Sequence, residues 1–131
     1  LNKPATQQQT LRVLIADDHE LTRYALQLVL SSRQAIFLVG TACNGKEALE
    51  MAKKHAPDVL VMDLQMPVMD GLQASTAIKK EHPTAQIIAY SSLENAQAEA
   101  MSQSAPIDAF CTKETSTEEL VDLIKQLGHN H

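Results

Sequence analysis

Asp58-Val59-Leu60-Val61-Met62-Asp63-Leu64-Gln65-Met66-Pro67-Val68-Met69-Asp70-Gly71 is the stretch whose reading decides the fold. An apolar run of strand length, Asp58 to Met62, ends in one carboxylate, Asp63; a turn through Pro67 follows, and Asp70 stands at the N-cap of a predicted helix. That helix is predicted to end before His82-Pro83, because the residue ahead of a proline is pushed out of the helical region. The same order recurs upstream. Leu11 to Ala16 is apolar, Asp17-Asp18-His19 closes it, and a helical period follows with Leu21, Ala25, Leu28 and Val29 as one apolar stripe.

Three further apolar runs, Ile36 to Thr41, Gln86 to Ser91 and Ile107 to Thr112, complete five predicted strands, each followed by a segment of helical period. Asn44 and Glu47 have capping-box spacing for a helix from Gly45 to about His55, which Pro57 stops. Ser116 and Glu119 repeat that spacing for the last helix, with Leu120, Leu123, Ile124 and Leu127 as its stripe and Gly128 as its end. Between Asn95 and Ser104 the apolar residues are mostly alanines, with Met101 the large anchor. A buried methylene contributes about 0.8 kcal/mol, so this fourth helix should dock weakly and be mobile. The stretch Ala105-Pro106-Ile107-Asp108 predicts an irregular entry into the fifth strand.

Regular alternation of strand and helix predicts an α/β fold, a doubly wound five-stranded parallel sheet with helices on both faces. The expected domain spans 11–127. Leu1 to Thr10, polar and carrying Gln7-Gln8-Gln9, is read as a flexible leader, and Gly128-His129-Asn130-His131 as a linker stub or an appended tail. At 131 residues, folding can remove roughly two thirds of the chain's surface from water, enough for one conventional core. Trp is absent and aromatics make up 3%, so that core must be built from Leu, Ile, Val, Ala and Met.

A net charge of −5 argues against nucleic-acid binding by this chain, since phosphate contacts need a concentrated basic surface. Cys43 and Cys111 are far apart in apolar runs, which predicts buried free thiols and a reducing, cytoplasmic setting. No apolar run is long enough to span a bilayer, and no membrane association is expected.

In open parallel sheets, ligands collect outside the carboxyl ends of the strands, where strand order reverses. In the 2-1-3-4-5 order, the first and third strands are neighbours, so Asp17, Asp18 and Asp63 converge at that point. Converging carboxylates repel unless a cation neutralises them, and hard oxygen ligands select Mg²⁺, or Mn²⁺ in its place, over zinc. His19 begins the next turn and is read as lying outside the ligand set. Ser91 and Lys113 end the fourth and fifth strands on the same rim, and an ammonium there can pair with a carboxylate or a phosphate. Taken singly, the acids read as helix caps and the lysine as a solvated side chain; four strand ends supplying Asp-Asp, Asp, Ser and Lys together read as a site.

Arg12-Val13-Leu14-Ile15-Ala16-Asp17-Asp18-His19 and the Asp58 to Gly71 stretch resemble bacterial response-regulator receiver domains, and the resemblance covers nearly all of Leu11 to Leu127. The Asp-Asp-His opening and the short spacing from Asp63 to Lys113 look most like receivers of the LuxR/FixJ type, which precede a helix-turn-helix output. The resemblance implies a flavodoxin-like fold and a two-component signalling role, not conventional enzyme activity: Asp63 takes a phosphoryl group from a sensor histidine kinase, with self-dephosphorylation afterwards. It assigns Mg²⁺ to the side chains of Asp18 and Asp63 and the Gln65 carbonyl, with Asp17 acting through water. Lys113, the Ser91 hydroxyl and the backbone N–H groups of Leu64 and Ser92 would hold the phosphoryl oxygens. Ser91 and Phe110 would form the switch, read out on the fourth helix, fifth strand and fifth helix, also the expected homodimer surface. A helix-turn-helix output domain would lie C-terminal to this chain.

Three other protein classes share parts of this pattern. A haloacid-dehalogenase-like phosphatase wants a second Asp two residues after the nucleophile, where Gln65 stands. A nucleotide- or flavin-binding protein would carry a Walker lysine loop or a G-x-G-x-x-G turn, and neither occurs. A receiver-like interaction module that signals without phosphate is the remaining alternative.

Overall fold

A computed structural model of the chain describes residues 10–92 and 106–129. Strands β1 (Leu11–Ala16), β2 (Ile36–Ala42), β3 (Val59–Met62), β4 (Gln86–Ser91) and β5 (Ala109–Thr112) form one parallel sheet in the order β2-β1-β3-β4-β5. Helices α1 (Glu20–Ser31), α2 (Gly45–His55), α3 (Gly71–Glu81) and α4 (Thr117–His129) cover it. The α/β alternation and strand order are those expected. The helix expected between Asn95 and Ser104, with its mobility, lies outside the described residues.

Successive residues of a strand face opposite sides of the sheet, and β1 divides the core accordingly. Val13 and Ile15 pack with Leu26 and Leu30 of α1 and with Leu120, Val121 and Ile124 of α4. Leu14 and Ala16 face the other way, onto Ala48 and Ala52 of α2 and Ala74 and Ile78 of α3. β1 and β3 are therefore buried on both faces, which is why they read as unbroken apolar runs.

Capping follows the sequence closely. The Asn44 side chain accepts the Glu47 N–H at 2.8 Å, while Glu47 Oε1 reaches back to the Cys43 N–H at 2.9 Å. Asp70 and Gln73 form a reciprocal capping box at the start of α3. Ser116 accepts the Glu119 N–H at 3.2 Å ahead of α4. Pro106 to Asp108 form the turn into β5, which begins two residues later than the apolar run implied.

Three expectations need correction. Most of the stripe proposed for α1 is not its core face: Leu21 is 81% and Leu28 57% exposed and Ala25 is exposed, while Val29 packs against the core beside the buried anchors Leu26 and Leu30. Gly128 does not end the last helix. It lies buried inside α4, where an added Cβ would stand 2.6 Å from Leu11 Cδ1, so glycine is there to let the helix approach β1. Both cysteines are free, as expected, but only partly buried.

Candidate functional site

The reversal of strand order sets the carboxyl ends of β1 and β3 side by side, and Asp63 N–H donates to the Ala16 carbonyl at 2.8 Å across them. The Asp17 and Asp63 side chains that follow are buried, and Asp18 stands at the open rim. The loop after β1 is fixed at both ends of Asp17: its Oδ1 accepts the His19 N–H at 2.8 Å, and its carbonyl accepts Arg23 Nη1 at 2.8 Å. The loop after β3 is fixed by Gly71, whose N–H donates to the Leu64 carbonyl at 3.2 Å. A Cβ at Gly71 would stand 2.1 Å from the Asp63 carbonyl oxygen, so only glycine lets α3 start this close to the acid.

Lys113 enters from the end of β5, its N–H donating to the Ser91 carbonyl at 2.9 Å. Its Nζ lies 2.9 Å from Asp17 Oδ2 and 3.2 Å from Asp63 Oδ2, so one ammonium serves two buried carboxylates. Burial, and secondarily the charge on Asp17, pushes the Asp63 carboxyl up to about 6 against the pull of Gln65 N–H and Lys113. Burial pulls Lys113 down, but its hydrogen bonds and charge interactions with Asp17 and Asp63 outweigh it and the net shift is upward. A second positive group at this point would relieve a real excess of negative charge.

The sequence-predicted residues fall as follows. Asp17, Asp18, Asp63 and Lys113 converge. Ser91 is buried at the end of β4, the strand beside β3, and Ser92 after it is exposed. Leu64 is buried; Gln65 is exposed, and its N–H donates to Asp63 Oδ1 at 3.1 Å. Phe110 sits in β5 opposite Ala89 and lines an open groove of about 500 Å³ with Cys111, Thr115, Glu119 and Leu123.

His19 is the residue that the sequence reading set aside. It occupies the N-cap of α1 without a side-chain capping bond, and its ring turns instead into the pocket. Nδ1 lies 3.1 Å from Asp17 Oδ1, 3.2 Å from Asp18 Oδ1, 3.8 Å from Asp63 Oδ2 and 3.1 Å from Lys113 Nζ. The available signal was a histidine at a cap position that favours Ser, Thr, Asp or Asn.

One ligand atom from each of Asp17, Asp18, His19 and Asp63 lies within 4.8 Å of the others, a spacing that one small divalent ion can bridge. Three of the four donors are carboxylates, and Asp17 Oδ2 is buried with Lys113 Nζ 2.9 Å away. This donor set fits a hard cation of the Mg²⁺ or Mn²⁺ type.

Comparison with known proteins agrees with this geometry. Residues 13–125 match the response regulator receiver domain family. The response regulator protein VraR of Staphylococcus aureus is 34% identical over 117 residues, covering 89% of this chain and 56% of that protein. The chain thus spans little more than half the length of such relatives. The response regulator domain of Thermotoga maritima CheB is 31% identical with a TM-score of 0.83, covering 94% of this chain and 99% of that one. The signal receiver domain of the putative response regulator NarL from Mycobacterium tuberculosis is 32% identical with a TM-score of 0.84, covering 94% and 99%.

Proposed function

The chain belongs to the response regulator receiver domain family, and from that premise we propose that Asp63 accepts a phosphoryl group from the phosphohistidine of a sensor histidine kinase. The observation that carries this reading is the buried Asp63 carboxylate sharing one ammonium with a second buried carboxylate at the reversal point of the sheet. Gln65 N–H on Oδ1 fixes the plane of the carboxylate and leaves Oδ2 facing Lys113.

In the transfer, an Asp63 oxygen bonds to phosphorus as the bond from phosphorus to the donor imidazole nitrogen breaks, and the departing imidazole takes up a proton. Chemistry of this kind is driven by positioning and charge neutralisation. Lys113 neutralises the phosphoryl oxygens, while the Ser91 hydroxyl and the N–H groups of Leu64 and Ser92 hold them. The side chains of Asp18 and Asp63 and the Gln65 carbonyl would hold Mg²⁺ or Mn²⁺, with Asp17 acting through water. When bound, that ion tempers the repulsion between the acid and the incoming phosphoryl group. Attack of water on the same phosphorus returns Asp63 and releases phosphate, which gives the domain its own off-reaction.

The added charge draws Ser91 and Lys113 inward and lets Phe110 follow, so that the signal reaches the surface of β5 and α4. That surface would carry homodimerisation. A transcriptional output, exerted in the cytoplasm by a helix-turn-helix domain following residues 11–127, would complete this reading; likeness to a DNA-binding response regulator of the LuxR family from Staphylococcus aureus, 25% identical with a TM-score of 0.84, supports it. DNA binding would belong to that domain. Among the described residues no helix is long and apolar enough to cross a membrane.

Incubation with acetyl phosphate and Mg²⁺, read by intact mass, tests the proposal. One phosphoryl group is expected on the native chain and none on Asp63→Ala. An unmodified native chain, under conditions that load a control receiver, would leave the phosphate-independent interaction module as the better reading.

A further inference from the structure

We propose that His19 Nδ1 is a direct ligand of the divalent ion, making this pocket a mixed oxygen and nitrogen site that favours Mn²⁺ and later transition ions over Mg²⁺. The inference rests on the receiver reading of the pocket and adds a donor that the carboxylate set does not contain.

Geometry carries it first. An octahedral ion with bonds of about 2.1 Å holds neighbouring ligands about 3.0 Å apart. His19 Nδ1 stands 3.2 Å from Asp18 Oδ1, the separation of adjacent ligands on one ion, and lies 3.1 Å from Asp17 Oδ1 and 3.8 Å from Asp63 Oδ2. The residue that carries the ring is held in this place by its backbone. His19 N–H donates to Asp17 Oδ1, and the residue is the N-cap of α1, so its Cα cannot drift from the rim while the helix stays docked.

Chemistry carries it further. Nδ1 lies among three carboxylates and 3.1 Å from the Lys113 ammonium. Coordination through Nδ1 leaves the ring proton on Nε2 and turns the lone pair toward the ion. Imidazole adds little to a Mg²⁺ site, where water replaces it readily, but binds more strongly along the series from Mn²⁺ to Cu²⁺. The His19 side chain is 62% exposed, so its replacement leaves the core intact.

Pulsed EPR of the Mn²⁺-loaded full chain, with Mn²⁺ and Mg²⁺ affinities measured on the native protein and on His19→Gln, decides the matter. The native protein is expected to show nitrogen modulation from a directly bound imidazole, and His19→Gln to lose it. Mn²⁺ affinity should fall about tenfold in that variant, the scale on which metal sites respond to loss of a supporting group, while Mg²⁺ affinity stays as it was. Nitrogen modulation absent from the native protein, or an equal change in both affinities, overturns the inference while leaving the receiver reading in place. Asp63→Asn separates the two: Mn²⁺ binding indifferent to that change places the ion outside the pocket and overturns both.

Discussion

Among the aspartates at the strand ends of this sheet, one pair on each rim invites comparison, and the two pairs are treated in opposite ways. Asp58 and Asp108 precede β3 and β5 on the amino-terminal rim, and each ties off the backbone of a neighbouring strand. Asp58 Oδ2 accepts the Arg12 N–H at 2.8 Å, and Asp108 Oδ2 accepts the Ile87 N–H at 2.7 Å with Lys79 Nζ 2.8 Å away. On the carboxyl rim, Asp17 and Asp63 are more deeply buried and share Lys113. One rim is electrostatically closed. The other carries an excess of negative charge that burial makes costly, and that cost is what a cation or a change of charge on Asp63 would relieve.

The largest effect that bears on this contrast is expected from Lys113→Met. Removing the ammonium leaves two buried carboxylates facing each other, and loss of one partner of a buried ion pair typically costs about 3 to 5 kcal/mol. Urea unfolding at pH 7 with a chelator present measures it. The loss should shrink as pH falls toward 6, because without the ammonium Asp63 takes up its proton at a higher pH than in the native chain. A cost no greater than that of an exposed lysine would erase the contrast between the rims.

Asp63→Asn should act in the opposite sense. Asp63 is raised from its ordinary 3.8 to about 6, so the folded state keeps a proton that the unfolded chain releases. Stability from this group is full below about 4 and lost as pH rises through 6. Replacing the acid by an amide should therefore stabilise the metal-free domain above pH 6 by up to about 3 kcal/mol, and bring nothing near pH 4. Matched unfolding curves across that range check both the sign and the window.

A smaller loss, about 2 kcal/mol, is expected for Asp108→Ala, because it leaves the Ile87 N–H unmet and Lys79 without its partner. The loss persists through pH 6 to 8, above the window from about 4 to 6 in which the Asp63→Asn gain develops. Thermal or urea midpoints at pH 6 and 8 suffice.

How much of this was legible beforehand depended on the kind of signal. The strands of the two-sided core, the caps at Asn44, Asp70 and Ser116, and the acids at the ends of β1 and β3 are local patterns with local causes. The face of α1 was not legible. Its sequence carries two apolar stripes, one through Leu21, Ala25, Leu28 and Val29 and one through Leu26 and Leu30, and periodicity alone cannot say that only Val29 of the first joins the second against the sheet. Gly128 failed for a related reason. A glycine near a helix end normally signals termination, but here close approach of Leu11 explains it, and that neighbour is more than a hundred residues away in the chain. His19 was undervalued because the sequence lays it beside the acids without showing which way its ring turns.

The sequence by itself determined the alternation of strands and helices, the family, and the chemical inventory of the pocket, because each of these is written in neighbouring residues. Tertiary structure alone decided how that inventory is shared. Strand order brings Lys113 from β5 onto Asp17 and Asp63, docking of α1 holds His19 over the same carboxylates, and burial lifts Asp63 out of the ordinary carboxylate range. Charge balance at a site depends on distances between residues far apart in the chain, and only the folded sheet sets those distances.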